Sequence, residues 1–226
     1  AWYEQHGREL PWRVKGGAHP DPYVILVSEL MLQQTTVKTV IPYFHRFMKR
    51  FPTVKDLAEA TQEEVYFYWQ GLGYYTRARS LHATARLVME KFNGRFPEKR
   101  EDVLKLKGIG PYTVASFLAL AFNQPETVVD GNVIRVISRL FRLTEPVSEI
   151  LPQIREKAAG LTDRTRPADY ASAIMDLGAM ICTPKNPQCL LCPWQEHCLS
   201  KTDPGLEEIP RRGKPAKKVK NGYVYL

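Results

Sequence analysis

The chain has 226 residues, 44% of them hydrophobic, and a formal net charge of +8. That length holds one large domain or two small ones, and the apolar content excludes wholesale disorder. No apolar run reaches the roughly 20 residues needed to cross a membrane, and no basic-then-apolar leader opens the chain. The first residue is Ala1 rather than Met, so part of the native start is expected upstream. The positive charge invites a polyanion. Arg211, Arg212, Lys214, Lys217, Lys218 and Lys220 nevertheless supply six of the eight charges, so any anion-binding surface in the body must come from a sorted face.

In chain order, residues 1–9 read as the end of a helix, broken by Leu10-Pro11-Trp12-Arg13. Gly16, Gly17, Pro20 and Pro22 form a loop, with Asp21-Pro22 as a helix start of cap then first-turn proline. The stretch from Tyr23 to Leu32 is strongly apolar, interrupted by Ser28 and Glu29, and an aromatic-rich helix follows from about Thr36 to Phe47. Thr61-Gln62-Glu63-Glu64 is a capping box opening a helix through Trp69, which Gly71-Leu72-Gly73 ends. Further helices are predicted over about 76–92, 100–106, 112–122, 131–142, 148–159 and 168–181, and alternating strand character is confined to Tyr223–Leu226. The fold is therefore predicted to be all-α. Two lobes are expected: residues 23–129 as one, and residues 1–22 with 130–210 as the other. A cleft between them would bring Glu29, Tyr112 and Asp130 together.

The residues that carry chemistry stand out by type and setting. Lys107-Gly108-Ile109-Gly110-Pro111 is a short turn between two helical patterns. Its glycines permit positive φ and close approach, and Pro111 suits the first position of the next helix. Such a helix N-terminus, flanked by Lys105 and Lys107, is suited to a phosphate. Asp130, after an apolar pair and opening another helix, is an N-cap or a placed carboxylate whose charge the helix dipole favours. Glu29 sits on an otherwise apolar helix, where desolvation favours the neutral acid. Two carboxyls pushed in opposite directions suit an acid and an electrostatic stabiliser or nucleophile at a glycosidic bond. Gln33-Gln34-Thr35-Thr36 and Gly71-Leu72-Gly73-Tyr74-Tyr75 put polar or aromatic tips at helix ends, of the kind that wedge into a duplex beside an extruded base. Trp12 and Arg13 offer an indole and a guanidinium, both good at holding a base. The four cysteines, spaced Cys182-x6-Cys189-x2-Cys192-x5-Cys198, form one compact loop, and spacing alone leaves zinc and an iron–sulfur cluster both open.

Together the Gly108-Ile109-Gly110 hairpin, Val129-Asp130-Gly131-Asn132 and the cysteine spacing resemble the helix-hairpin-helix DNA glycosylases with an iron–sulfur cluster. The resemblance covers the chain to about residue 210. Within that superfamily, Leu10-Pro11-Trp12-Arg13, Ser28-Glu29-Leu30-Met31-Leu32-Gln33-Gln34-Thr35 and Trp69-Gln70-Gly71-Leu72-Gly73-Tyr74-Tyr75 with Arg77 and Arg79 are similar to signatures of the MutY-type adenine glycosylases. Tyr112 stands where the related endonuclease III branch carries the lysine that forms a Schiff base, which implies base removal without strand cleavage.

The resemblance implies removal of adenine mispaired with 8-oxoguanine or guanine in double-stranded DNA. Glu29 would protonate adenine, Asp130 would stabilise the oxocarbenium-like sugar, and Tyr112 and Asn132 would orient them. Leu10, Trp12, Arg13 and Leu32 would line the base pocket, with Gln33, Gln34 and Tyr74 in the duplex. Lys107, Gly108, Ile109, Gly110, Tyr112, Arg77 and Lys185 would meet phosphates, with a monovalent cation at the hairpin. Cys182, Cys189, Cys192 and Cys198 would hold a structural 4Fe–4S cluster. A monomer acting in the bacterial cytoplasm at the nucleoid is expected, with no membrane partner. Residues 211–226 read as a basic linker and the first strand of a MutT-like domain, so the chain is expected to be a catalytic core. Two alternatives remain open on the residues: a glycosylase/lyase for oxidised pyrimidines, and a non-enzymatic iron–sulfur DNA-binding module.

Overall fold

The computed structural model describes residues 2–14 and 19–211. The strand expected over Tyr223–Leu226 and most of the basic linker lie outside these residues.

The described residues are all-α, with an isolated bridge between Pro146 and Arg211 in place of any strand. The helices are α1 (Trp2–His6), α2 (Pro22–Leu32), α3 (Val37–Arg50), α4 (Val54–Glu59), α5 (Gln62–Trp69), α6 (Thr76–Phe92), α7 (Arg100–Val103), α8 (Pro111–Phe122), α9 (Gly131–Leu140), α10 (Val147–Leu161) and α11 (Pro167–Met180). No helix among them is long and apolar enough to cross a membrane.

The caps explain most boundaries. Asp21 accepts from the Tyr23 N–H at 2.8 Å, so α2 starts where the Asp-Pro pair predicts. Thr61 caps α5 by accepting from Glu64 N–H. Helix α4 was not expected from apolar spacing, because it is only six residues long; the signal is its reciprocal capping box, Thr53 with Asp56. Helix α7 stops at Val103 rather than 106, because the chain must turn into the hairpin. In that hairpin Gly108 alone takes positive φ, at +76°, whereas Gly110 is extended at φ −95°. A Cβ on Gly108 would stand 2.6 Å from the Ser80 Cβ, so close packing also holds it to glycine.

A small apolar cluster of Ala119, Val128 and Ala171 and two large ones form the interior of the described residues. The larger runs from Trp12 and Tyr23 through the buried faces of α2–α8, with Trp69, Phe47, Phe51 and Phe117 among its largest buried side chains. The smaller gathers Val133, Val136, Ile137, Ile154, Ile174 and Leu177 from α9, α10 and α11. Helix α8 packs on both α2 and α11, and α11 packs in turn on α9. This sequence of contacts brings α2, α8, α9 and α11 around one cleft.

Candidate active site

The cleft has a volume of about 1230 Å³, beyond the roughly 300–1,000 Å³ of ordinary small-ligand pockets. Glu29 from α2, Tyr112 from the start of α8, and Asp130 and Asn132 from the start of α9 all line it. So do Leu10, Trp12 and Arg13 from the chain's first loop, and Leu32, Gln33, Gln34 and Tyr74.

Glu29 is 9% exposed on a helix with a buried apolar face. The Ser116 hydroxyl donates to its Oε2 and also lies 3.3 Å from the Thr113 carbonyl oxygen. Burial pushes the Glu29 pKa up to about 7, with the Asp130 carboxylate adding to the rise while Ser116 and Arg13 oppose it. A hydroxyl both donates and accepts, so Ser116 can serve Glu29 protonated or ionised. Ser116 was missed in the sequence. It lies four residues after Tyr112, on the same face of α8, and that spacing was its signal.

Asp130 is the N-cap of α9. Its Oδ1 accepts from the Val133 N–H at 2.7 Å and its Oδ2 from Asn132 Nδ2 at 2.9 Å. Asn132 is fixed from behind, because Arg135 Nη2 donates to its Oδ1 at 2.9 Å. The same guanidinium donates to the carbonyls of Gly178 at 2.6 Å and Cys182 at 2.7 Å. Gly178 allows this contact: a Cβ there would stand 2.6 Å from the Asn132 Cβ. Tyr112 is 38% exposed, yet burial of its hydroxyl end, then Glu29 and Asp130, hold the phenol well above its usual range, with Ser116 opposing.

Arg13 does not reach freely into the cleft. Its two terminal nitrogens pair with Asp176 at 2.7 and 3.0 Å, and Arg8 joins through its N–H at 2.8 Å and Nε at 2.6 Å. Burial would raise the Asp176 carboxyl, but these two arginines outweigh it and hold it below the carboxylate range. Asp176 was also missed, although it carries a signal like that of Glu29: an acid in an apolar stretch of helix, with Asp169 confined to the first turn of α11. Trp12 is both a cleft wall and a core residue, edge-on to Phe44 with centroids 5.2 Å apart.

Arg77, expected at phosphates, is 6% exposed and spends both terminal nitrogens on internal acceptors. Lys107 is exposed on the hairpin and Lys185 on the cysteine loop, and neither lines the cleft. The α8 N-terminus has no side-chain cap. Of the hairpin carbonyls that a monovalent cation would use, Lys107 O accepts from Thr84 at 3.1 Å and Gly108 O lies 3.5 Å from Gln33 Nε2. Each keeps a lone pair.

The four cysteines, none of them in a disulfide, line one small cavity with Arg139, Gln195 and Lys201. Among the described residues no three His, Cys, Asp or Glu side chains converge tightly enough to hold one metal ion. Four thiols lining one void supply the donor set of an iron–sulfur cluster. Buried Arg139 braces the loop, donating to the carbonyls of Thr183 at 2.6 Å and Pro184 at 3.0 Å and lying 3.6 Å from the Cys182 Sγ.

Residues 27–159 match the model for the HhH-GPD superfamily of base excision DNA repair proteins, and residues 182–198 match the iron–sulfur binding domain of endonuclease III. Among curated proteins the chain is 45% identical over 205 residues to the adenine DNA glycosylase of Rattus norvegicus, covering 88% of this chain and 40% of the relative. It is 39% identical over 200 residues to that of Buchnera aphidicola subsp. Baizongia pistaciae, covering 88% and 56%. The chain thus spans about half, or less, of the length of these relatives. Among solved structures it resembles a thermostable thymine-DNA glycosylase at TM-score 0.77 and 31% identity, covering 88% of this chain and 91% of that one. A trapped endonuclease III–DNA covalent intermediate shares the fold at TM-score 0.71 and 22% identity, covering 88% and 90%. The cysteine loop is accordingly a 4Fe–4S site, within the matched residues 182–198. The chain belongs to the HhH-GPD superfamily of base excision DNA repair proteins.

Proposed function

We propose that the chain is a monofunctional glycosylase, active as a monomer, that removes adenine mispaired with 8-oxoguanine or guanine in double-stranded DNA. The observation that carries this reading is Glu29: a buried, hydrogen-bonded acid with a pKa near 7, lining the same cleft as the N-capping carboxylate Asp130. The adenine DNA glycosylase names of the relatives support the choice of base.

In this mechanism the flipped adenine enters the cleft and Glu29 gives its proton to the ring. The glycosidic C–N bond then breaks, and its electron pair leaves with the base. Asp130 faces the positive charge that develops on the sugar. Asn132 and Tyr112 hold the geometry. Water completes the hydrolysis, adding hydroxide to the sugar and returning a proton to a carboxylate. Gln33, Gln34 and Tyr74 occupy the duplex beside the vacated position. The uncapped start of α8 with Lys107, and Lys185 on the cysteine loop, meet phosphates. The lobes outlined from the sequence flank the duplex, and the cluster stiffens the loop that carries Lys185.

The test is adenine release from A:8-oxoguanine and A:G duplexes beside duplexes with oxidised pyrimidines. Glu29→Gln and Asp130→Asn should each slow release by about 100-fold or more. Asn is itself a good N-cap, so Asp130→Asn should keep its melting temperature. Wild-type rates in either variant would refute the assigned roles. The runner-up, a glycosylase/lyase, needs an amine nucleophile, and no lysine is among the described residues lining the cleft. Borohydride should therefore trap no covalent complex with the unmodified protein, whereas Tyr112→Lys should give some. A non-enzymatic module would bind DNA and release no base.

A further inference from the structure

The proposed chemistry makes no use of Arg77, whose hydrogen bonds are the most numerous of any side chain in the cleft. Its Nη1 donates to the carbonyls of Leu30 at 3.0 Å, Met31 at 2.8 Å and Gln33. Its Nη2 donates to the Thr35 hydroxyl at 3.3 Å and to the carbonyls of Leu72 and Gly73, both at 3.2 Å. One set of acceptors belongs to the end of α2 and the turn after it; the other belongs to the turn between α5 and α6. The guanidinium also lies 5.5 Å from the Trp69 ring centroid and 5.4 Å from that of Tyr74.

Both turns are conformationally costly at their tips. Gln34 has φ +60° and Tyr74 φ +47°, left-handed values carried by residues with side chains. Such residues persist only where the surroundings over-determine them. Here the surroundings include Arg77, and among the described residues no other side-chain hydrogen bond joins the two turns. Tyr74 nevertheless stays 63% exposed, and Gln34 is exposed too, so the bracing holds two tips out rather than burying them.

We infer that Arg77 is a positioning residue that locks the Gln33–Thr35 turn and the Leu72–Tyr74 turn into one rigid two-pronged wedge for a stacked nucleic-acid duplex. The duplex as target rests on the function proposed above; the clamp itself rests on the hydrogen bonds. The planar fork is what suits arginine to the task. Its four terminal N–H groups, in a fixed plane, are shared among six acceptors on two segments, whereas a lysine ammonium has three donors at a single point. Preorganised prongs enter the stack without first paying to order themselves, and misplacing them slows extrusion of the base rather than the bond cleavage that follows.

Arg77→Lys and Arg77→Met in the full chain test this with two readouts. The first needs no substrate: hydrogen–deuterium exchange over residues 32–35 and 71–75 should rise about tenfold in both turns together, with α3 and α8 unchanged. The second compares single-turnover adenine excision from a stacked mispair with excision from the same duplex carrying an abasic position opposite the adenine. The stacked substrate should lose about 100-fold, while the unpaired adenine, cheaper to extrude, should lose less than about threefold. If these variants do not fold, Thr35→Val removes one acceptor and leaves the guanidinium in place; it should give the same pattern at smaller amplitude. Exchange that rises in one turn only, or in neither, overturns the clamp, as does an equal loss on both substrates. A wild-type protein that releases no adenine overturns the proposed function instead, and the exchange result still judges the clamp.

Discussion

Glu29 is the residue whose environment decides its chemistry. Its carboxyl has a pKa near 7 against an ordinary value of 4.5, and burial is the first cause. The sign of the consequence for stability follows. Below about pH 4.5 the group is neutral folded and unfolded; between 4.5 and about 7 only the unfolded chain is ionised, so stability falls as pH rises; above about 7 the full cost of the buried charge is present. Glu29→Gln removes that cost. Its melting profile above pH 7 should show a gain of about 1–3 kcal/mol, while excision falls. Excision by the unmodified protein should itself decline as pH rises through about 7, because the acid loses its proton. Single-turnover rates against pH, with Glu29→Gln as the control lacking that limb, check it. The apolar spacing around Glu29 revealed its burial in the sequence. Its hydroxyl partner Ser116 was hidden because α8 is apolar on nearly every face and reads as core.

At the scale of elements, the site depends on how closely α9 and α11 approach. Asn132 orients Asp130, and Gly178 on α11 is the surface against which Asn132 rests. Gly178→Ala puts a methyl group 2.6 Å from the Asn132 Cβ, so the helices must part. The expected cost is about 1–3 kcal/mol of stability, as for overpacking elsewhere, together with a drop in excision larger than the stability loss accounts for. Thermal melting and excision measured on one preparation separate the two. A neutral outcome in both would mean that α11 gives way without disturbing Asp130. The caps Asp21 and Thr61 made α2 and α5 legible in the sequence, and the six-residue α4 escaped because apolar periodicity needs more than one turn to register. Both hairpin glycines permit positive φ, and only Gly108 uses it. Sequence spacing cannot tell which glycine in a pair makes the turn.

For the whole molecule, the cysteine loop closes the smaller core: Cys182, Cys192 and Trp194 pack against the cluster of Val133, Ile137 and Leu177. The loop is also tied to the site, since Arg135 bridges the Cys182 carbonyl and Asn132. The loaded protein should contain about four iron and four acid-labile sulfide per chain; stoichiometric zinc without sulfide would contradict the cluster. Cys189→Ser should lose the cluster's visible absorbance, melt earlier and bind duplex DNA more weakly, measured by calorimetry and titration. Binding as tight as that of the loaded protein would separate the loop from the DNA surface.

The sequence by itself determined most of the helices, because caps and prolines act locally, and the chemical types at the site, because a lone acid on an apolar helix and four clustered thiols are visible without coordinates. It also marked the hairpin, Asp130 and the two tips. Only the tertiary structure decided which of these cooperate. Arg77 shows the reason. The family resemblance implied a phosphate contact, but whether a guanidinium faces solvent or is turned to acceptors inside depends on where α2 and the 71–74 turn sit relative to α6. Asp176 is the same case: an acid more than 160 residues from Arg13 becomes its partner only once α11 has packed beside the chain's first loop. Pairings of this kind are long-range, and the local pattern of a sequence carries no record of them.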